Sequence, residues 1–104
     1  MNVEFEKEYL SELYYTGKCS DKKHRFQPNI IMKYKLRIEM LNSAPNIEAL
    51  FSIGSLHYEV LKGDKAGISS IRVNNQYRIE FTVSKDKDET VTVCNIIELS
   101  NHYK

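Results

Sequence analysis

The run "ISSIRVNNQYRIEF", Ile68 to Phe81, constrains the fold of this chain more than any other stretch. Two β-branched segments flank a short polar "NNQ", and each carries one arginine, Arg72 and Arg78. Side chains alternate across a strand, so Ile71 and Val73 share one face, and Tyr77, Ile79, Phe81 and Val83 share one face of the next strand. A two-residue turn would set Ile71 opposite Arg78 and break this pattern. A three-residue turn sets Val73 opposite Tyr77 and Arg72 opposite Arg78, which keeps both apolar sets on one side. Burial therefore dictates the register, and it places two like charges side by side on the other face. Such a pair costs some tenths of a kcal/mol unless something neutralises it. Glu80 and Glu98 are candidates within the chain; a bound phosphate is the functional candidate, because a guanidinium fork matches its geometry.

The remaining pattern places this hairpin in an α+β domain. "NVEF" reads as an opening strand. "KEYLSELYYTG" sets Tyr9, Leu10, Leu13 and Tyr14 at helical spacing, with Gly17 suited to the cap. After the polar loop "KCSDKKHRF", Pro28 fits the first turn of a second helix. The apolar stripe of that helix is Ile30, Ile31, Tyr34, Ile38 and Leu41, with Lys33, Lys35 and Arg37 largely outward. Pro45 ends it, and Asn46 can cap a last turn, "IEALF". From Leu56 the period changes to that of strands: "LHYEVL", "ISSIRV", "YRIEFTVS" and "TVTVCNIIEL", separated by "KGDKAG", "NNQ" and "KDKDE". The expectation is one domain over residues 1–104, with the N-terminal strand and helices packed on one face of a mainly antiparallel four- to five-stranded sheet. The other face stays at least partly open.

Charge is nearly balanced at net +1, so bulk electrostatics do not mark a nucleic-acid binder. Its distribution is uneven: Lys18 to Arg37 holds seven Lys or Arg and one acid, Asp21, while "EFEKE" is acidic. A basic block of this kind is a solvated face unless an anionic partner meets it. Cys19 and Cys94 are far apart and form no metal-ligand pattern; Cys94 alternates into an apolar strand, and Cys19 lies in a polar loop. No basic-then-apolar leader opens the chain, and no apolar run nears the ~20 residues of a membrane span. The chain reads as soluble and cytoplasmic, without membrane contact.

"LKGDKAG" followed by "SIRVNNQYRIEF" resembles the central signature of the RelE/ParE toxin superfamily, in particular its HigB-like, host-killing branch. The tail "NIIELSNHYK" is similar to the family's last strand and histidine-containing end. The resemblance is specific from about Leu56 to Tyr103 and extends to the rest of the chain in element order. It implies the toxin of a type II toxin–antitoxin pair, silenced by a cognate antitoxin of the helix-turn-helix, HigA-like type. For HigB-like members it further implies an mRNA interferase: a ribosome-dependent endoribonuclease that cuts messenger RNA in the decoding site and needs no metal or other cofactor. A 2′-hydroxyl attacks the adjacent phosphodiester, so a base must take its proton and cations must stabilise the phosphorane.

Carried over residue by residue, Lys62 matches the lysine of the Leu-Lys-Gly motif and Arg78 the arginine after the aromatic. Both would bind phosphate and stabilise transition-state charge, and Arg72, as the cross-strand neighbour of Arg78, would share that work. His102 corresponds to the C-terminal histidine, a candidate acid or base. Tyr103 would orient RNA or stack on a base. Lys65, Lys33, Lys35 and Arg37 would add RNA contacts at the rim, which a chain of such low net charge requires for affinity. The tail departs from the more usual Asp-Tyr-His order, which shifts the geometry around His102. The superfamily also contains ParE-like gyrase poisons, which use the same fold without nuclease chemistry, and a decayed toxin would retain antitoxin binding alone.

Ordinary readings compete for several of these residues. His57 reads as a partly buried strand histidine and His24 as a loop residue, neither of them a ligand. Lys62 also fits a solvated turn, and His102 a chain end. Tyr9, Tyr14, Tyr15 and Tyr34 read as core edge, and Met32 and Met40 as core filler.

Overall fold

In a computed structural model, which describes residues 1–101, the chain runs as β1 (Asn2–Phe5), α1 (Glu8–Thr16), α2 (Pro28–Ser43), α3 (Glu48–Phe51), β2 (Glu59–Val60), β3 (Ser69–Arg72), β4 (Arg78–Lys85) and β5 (Thr92–Ser100). Three 3₁₀ turns, Lys22–His24, Gly54–Leu56 and Gly63–Lys65, lie between these elements. The five strands form one sheet in the order β1-β5-β4-β3-β2. Every pairing is antiparallel except β1 with β5. β1 and β5 lie far apart in sequence with α1 following β1, the arrangement that a parallel pair requires.

Local sequence sets the helix ends as expected. Gly17 takes φ 74° and its N–H donates to Leu13 O, closing α1. Pro28 sits in the first turn of α2, and the Asn46 side chain accepts from Ala49 N ahead of the short α3. Leu10 and Leu13 of α1 and Ile30, Tyr34, Ile38 and Leu41 of α2 meet Ile71, Ile79, Phe81, Cys94 and Ile96 of the sheet in one buried cluster. Tyr34 is fully buried, and its hydroxyl donates to Leu10 O at 2.8 Å, which ties the two helices together. Burial in this apolar layer raises the Tyr34 hydroxyl pKa far above its usual range and pushes the Cys94 thiol up to about 11.

Five expectations fail. The strand over "LHYEVL" contracts to Glu59–Val60. Leu56 is buried inside a 3₁₀ turn instead, and His57 closes that turn in the left-handed region at φ 44°, exposed rather than half-buried in a strand. An edge strand with one neighbour has little to hold it longer. Met32 is 58% exposed, because two residues from Ile30 and from Tyr34 is about 200° around a helix, away from the core. Tyr15 is likewise outward, and Val83 leaves the buried set because β4 runs past the start of β3, where Ser69 faces Phe81.

Candidate functional site

The three-residue turn is present as the alternation requires. Arg72 is the cross-strand partner of Arg78, Ile71 that of Ile79, and Val73 N donates to Tyr77 O. Asn74 makes the turn itself, its side-chain oxygen accepting from Gln76 N at 2.9 Å and from Tyr77 N at 2.8 Å. On the face away from the helices, two rows of side chains cross the sheet. One row is Glu59, Ser70, Glu80 and Glu98; the next is Arg72, Arg78 and Ser100. The register skips Ile97 between these rows and Ile96, a bulge that keeps Glu98 opposite Glu80.

The two arginines start side by side and then part. Arg78 leans away from the turn, across the acidic row. Its Nε donates to Ser70 Oγ, its Nη2 to Ser70 O and to His57 O, and Glu59 lies 3.7 Å away. It is only 8% exposed. Arg72 leans the other way, its Nε donating to Asn74 O at 3.1 Å and its Nη2 to the Asn75 side chain. Opposed directions relieve the repulsion that the register imposes. The His57 carbonyl held by Arg78 also explains part of the short β2, since the residues before it are drawn onto the guanidinium.

The acids named as possible partners are used differently. Lys65 reaches over the open face to Glu80 at 2.9 and 3.1 Å and lies 3.9 Å from Glu98. Glu80 is 1% exposed, so this ion pair, buried at its carboxylate end and half-exposed at Lys65, clamps the Gly63–Lys65 turn against the sheet. Lys65 is thereby committed within the chain, a role its place in a polar loop did not reveal. Lys62 precedes the clamped turn and is exposed.

Arg72 belongs to a second cationic place. A groove of about 670 Å³ runs along the outer side of β3 between α2, the Gly54–Leu56 turn and the hairpin turn. Lys33, Arg37 and Arg72 line it, with Ser55 and the amides of Asn74, Asn75 and Gln76, and no carboxylate among the described residues does. Arg37 Nε donates to Arg72 O at 3.0 Å, joining the helix to the strand. Lys35 stands apart, on the opposite side of α2 near Gly17. His102 and Tyr103 lie outside the described residues. Cys19 and Cys94 are both free thiols. Among the described residues no three of His, Cys, Asp and Glu gather as a metal site, and no helix is long and apolar enough to cross a membrane.

Residues 3–95 match a family described as HigB-like toxin, the RelE-like toxin of the type II toxin–antitoxin system HigB. The chain is 35% identical over 82 residues to Toxin HigB-1 of Vibrio cholerae, covering 78% of this chain and 82% of that protein. It superposes on a YoeB/ParE toxin from Agrobacterium tumefaciens with a TM-score of 0.62 at 20% identity, over 99% of this chain and all of the other. A YoeB–YefM complex from Staphylococcus aureus gives a TM-score of 0.56 at 23% identity, over 99% of this chain and 98% of the other. These two likenesses are of fold.

Proposed function

We propose a function from one premise: the chain belongs to the HigB-like toxins, the RelE-like toxins of type II toxin–antitoxin systems. A toxin of this kind has a cognate antitoxin, here of helix-turn-helix, HigA-like type. Its activity is ribosome-dependent cleavage of messenger RNA without a metal. The 2′-hydroxyl attacks its adjacent phosphodiester, the 5′-oxygen of the next nucleotide leaves with a proton, and the products are a 2′,3′-cyclic phosphate and a 5′-hydroxyl.

The observation that supports this reading is the fixed Arg78 cation on the open sheet face, with a separate cationic groove, free of carboxylates among the described residues, at the neighbouring hairpin turn. Arg78 is held by Ser70 and His57 before any substrate arrives, and a pre-oriented charge stabilises a phosphorane without reorganisation. Lys62 supplies the second charge from the turn that the Lys65–Glu80 pair pins down. Arg72, Arg37 and Lys33 carry the neighbouring phosphates along the groove, with Lys35 outside that track. Lys65 serves the RNA indirectly, through the position it gives Lys62. His102 moves the protons and Tyr103 stacks on a base, as the family resemblance implies for the chain end.

Controlled expression followed by mapping of messenger RNA 5′ ends tests this reading, with Lys62→Ala as the comparison because Lys62 is exposed and its loss spares the fold. New ends in phase with codons, reduced at least tenfold in the variant, are expected. Growth arrest without new ends would remove the nuclease reading and direct attention to gyrase supercoiling.

A further inference from the structure

β1 stops pairing with β5 where Phe5 faces Ile96, and the last residues of β5 meet side chains there instead of a strand. Leu99 N donates to the Tyr9 hydroxyl at 3.4 Å. Between this part of β5 and the loop joining α1 to α2 lies a cavity of about 230 Å³. Two aromatic pairs wall it. His24 lies flat on Tyr9, with ring centroids 3.7 Å apart and planes 8° from parallel, and Phe26 meets Tyr77 edge-on at 5.6 Å. Its polar wall includes Glu98 and Asn101, and Arg25 stands at its rim.

We infer that this cavity is a nucleobase site that seats one base of the RNA strand. The inference rests on the RNA-cleaving reading above and names where that reading obtains its base preference. Three observations carry it. Ser100, which borders the cavity, is the cross-strand partner of Arg78. Neighbouring strands are about 5 Å apart, so the cavity borders the strand that carries Arg78, whose guanidinium reaches the other way, to Ser70 and His57.

The aromatic wall is also built in advance. Asp21 accepts from Lys23 N at 2.9 Å and meets His24 Nδ1 at 2.9 Å, which fixes the imidazole against Tyr9. Those same bonds hold the Asp21 carboxyl below the usual carboxylate range. Unstacked RNA bases are held on such aromatic rings and on arginine planes. The Glu98 carboxylate, half-exposed beside the cavity, accepts hydrogen bonds and cannot donate them. It favours guanine, whose N1–H and amino group face both carboxylate oxygens together, over uracil, whose single N3–H lies between two carbonyls.

The test is a magnetic-resonance titration of the purified full chain with each of the four ribonucleoside 5′-monophosphates and, separately, inorganic phosphate. Ring-current shifts at His24 and Phe26 are expected with the guanosine nucleotide, at least fivefold weaker binding for uridine, and no ring shifts with phosphate alone. Phe26→Leu is expected to weaken binding tenfold or more while leaving the melting temperature within a few degrees. Glu98→Gln, at a solvent-facing position, is expected to erase the discrimination against uridine. Equal ring shifts with phosphate and nucleotide, or no ring shifts with any nucleotide, would overturn the inference. Ring shifts in a chain that yields no new RNA ends in cells would retire only the nuclease reading.

Discussion

Arg78 and Arg72 leave the backbone as direct neighbours and end in different environments. Arg78 is drawn into the middle of the sheet, over Ser70 and under the 3₁₀ turn that His57 closes, and so takes part in holding β2 and β3 together. Arg72 stays at the turn, half-exposed, sharing a groove with Lys33 and Arg37. A guanidinium that must hold its own scaffold is pre-oriented but close to irreplaceable. One that rests on turn carbonyls can be lost without collapse. Similar residues one strand apart thus divide the demands of stability and of ligand binding.

The sharpest way to break this comparison is to remove each arginine in turn. Arg78→Ala leaves a buried hydroxyl and two carbonyls without their donor and is expected to cost roughly 3 kcal/mol. Arg72→Ala is expected to cost less than about 1 kcal/mol. Urea unfolding measures both, and equal costs would contradict the division. Next in size is Glu80→Ala, which takes from Lys65 its nearest carboxylate and leaves it Glu98 at 3.9 Å, and is expected to cost roughly 1 kcal/mol. The same variant should speed amide exchange in the Gly63–Lys65 turn and leave the hairpin turn unaffected.

Asn74→Ala removes the side-chain oxygen that accepts from the Gln76 and Tyr77 N–H groups in the hairpin turn, with an expected cost of about 1 kcal/mol. It should loosen Arg72 while the Arg78 contacts persist, visible as line broadening confined to the groove. The smallest effect comes from added anion. Inorganic phosphate in the cationic groove should stabilise the chain by about 0.4 kcal/mol at a concentration equal to its dissociation constant. That gain should vanish in Arg72→Ala.

Much of the fold was legible because burial leaves few choices. The one-sided apolar alternation of Ile71, Val73, Tyr77, Ile79 and Phe81 allowed a single hairpin register, and the structure adopts it. Gly17, Pro28 and Asn46 marked helix ends through conformational rules that act within a few residues. The directions of long side chains were not legible, because alternation gives a face and no heading. The parting of Arg72 from Arg78 depends on where Ser70, His57 and the turn carbonyls lie. The Lys65–Glu80 clamp joins residues 15 apart in sequence, and only the bulge at Ile97 keeps Glu98 beside it. His24 looked like a loop residue because nothing nearby in sequence announces that Tyr9 lies beneath its ring. The signal that could have found it is Asp21, three residues before His24, at a spacing that suits a side-chain bond.

The most direct test of the central claim is the chemistry of the cut end. Purified chain, ribosomes and a short synthetic messenger RNA would be mixed, and the 3′ terminus of the upstream fragment read by mass spectrometry. The account predicts a 2′,3′-cyclic phosphate that forms only when ribosomes are present and is lost with Lys62→Ala. Intact RNA, or a fragment ending in a plain 3′-hydroxyl, would contradict it.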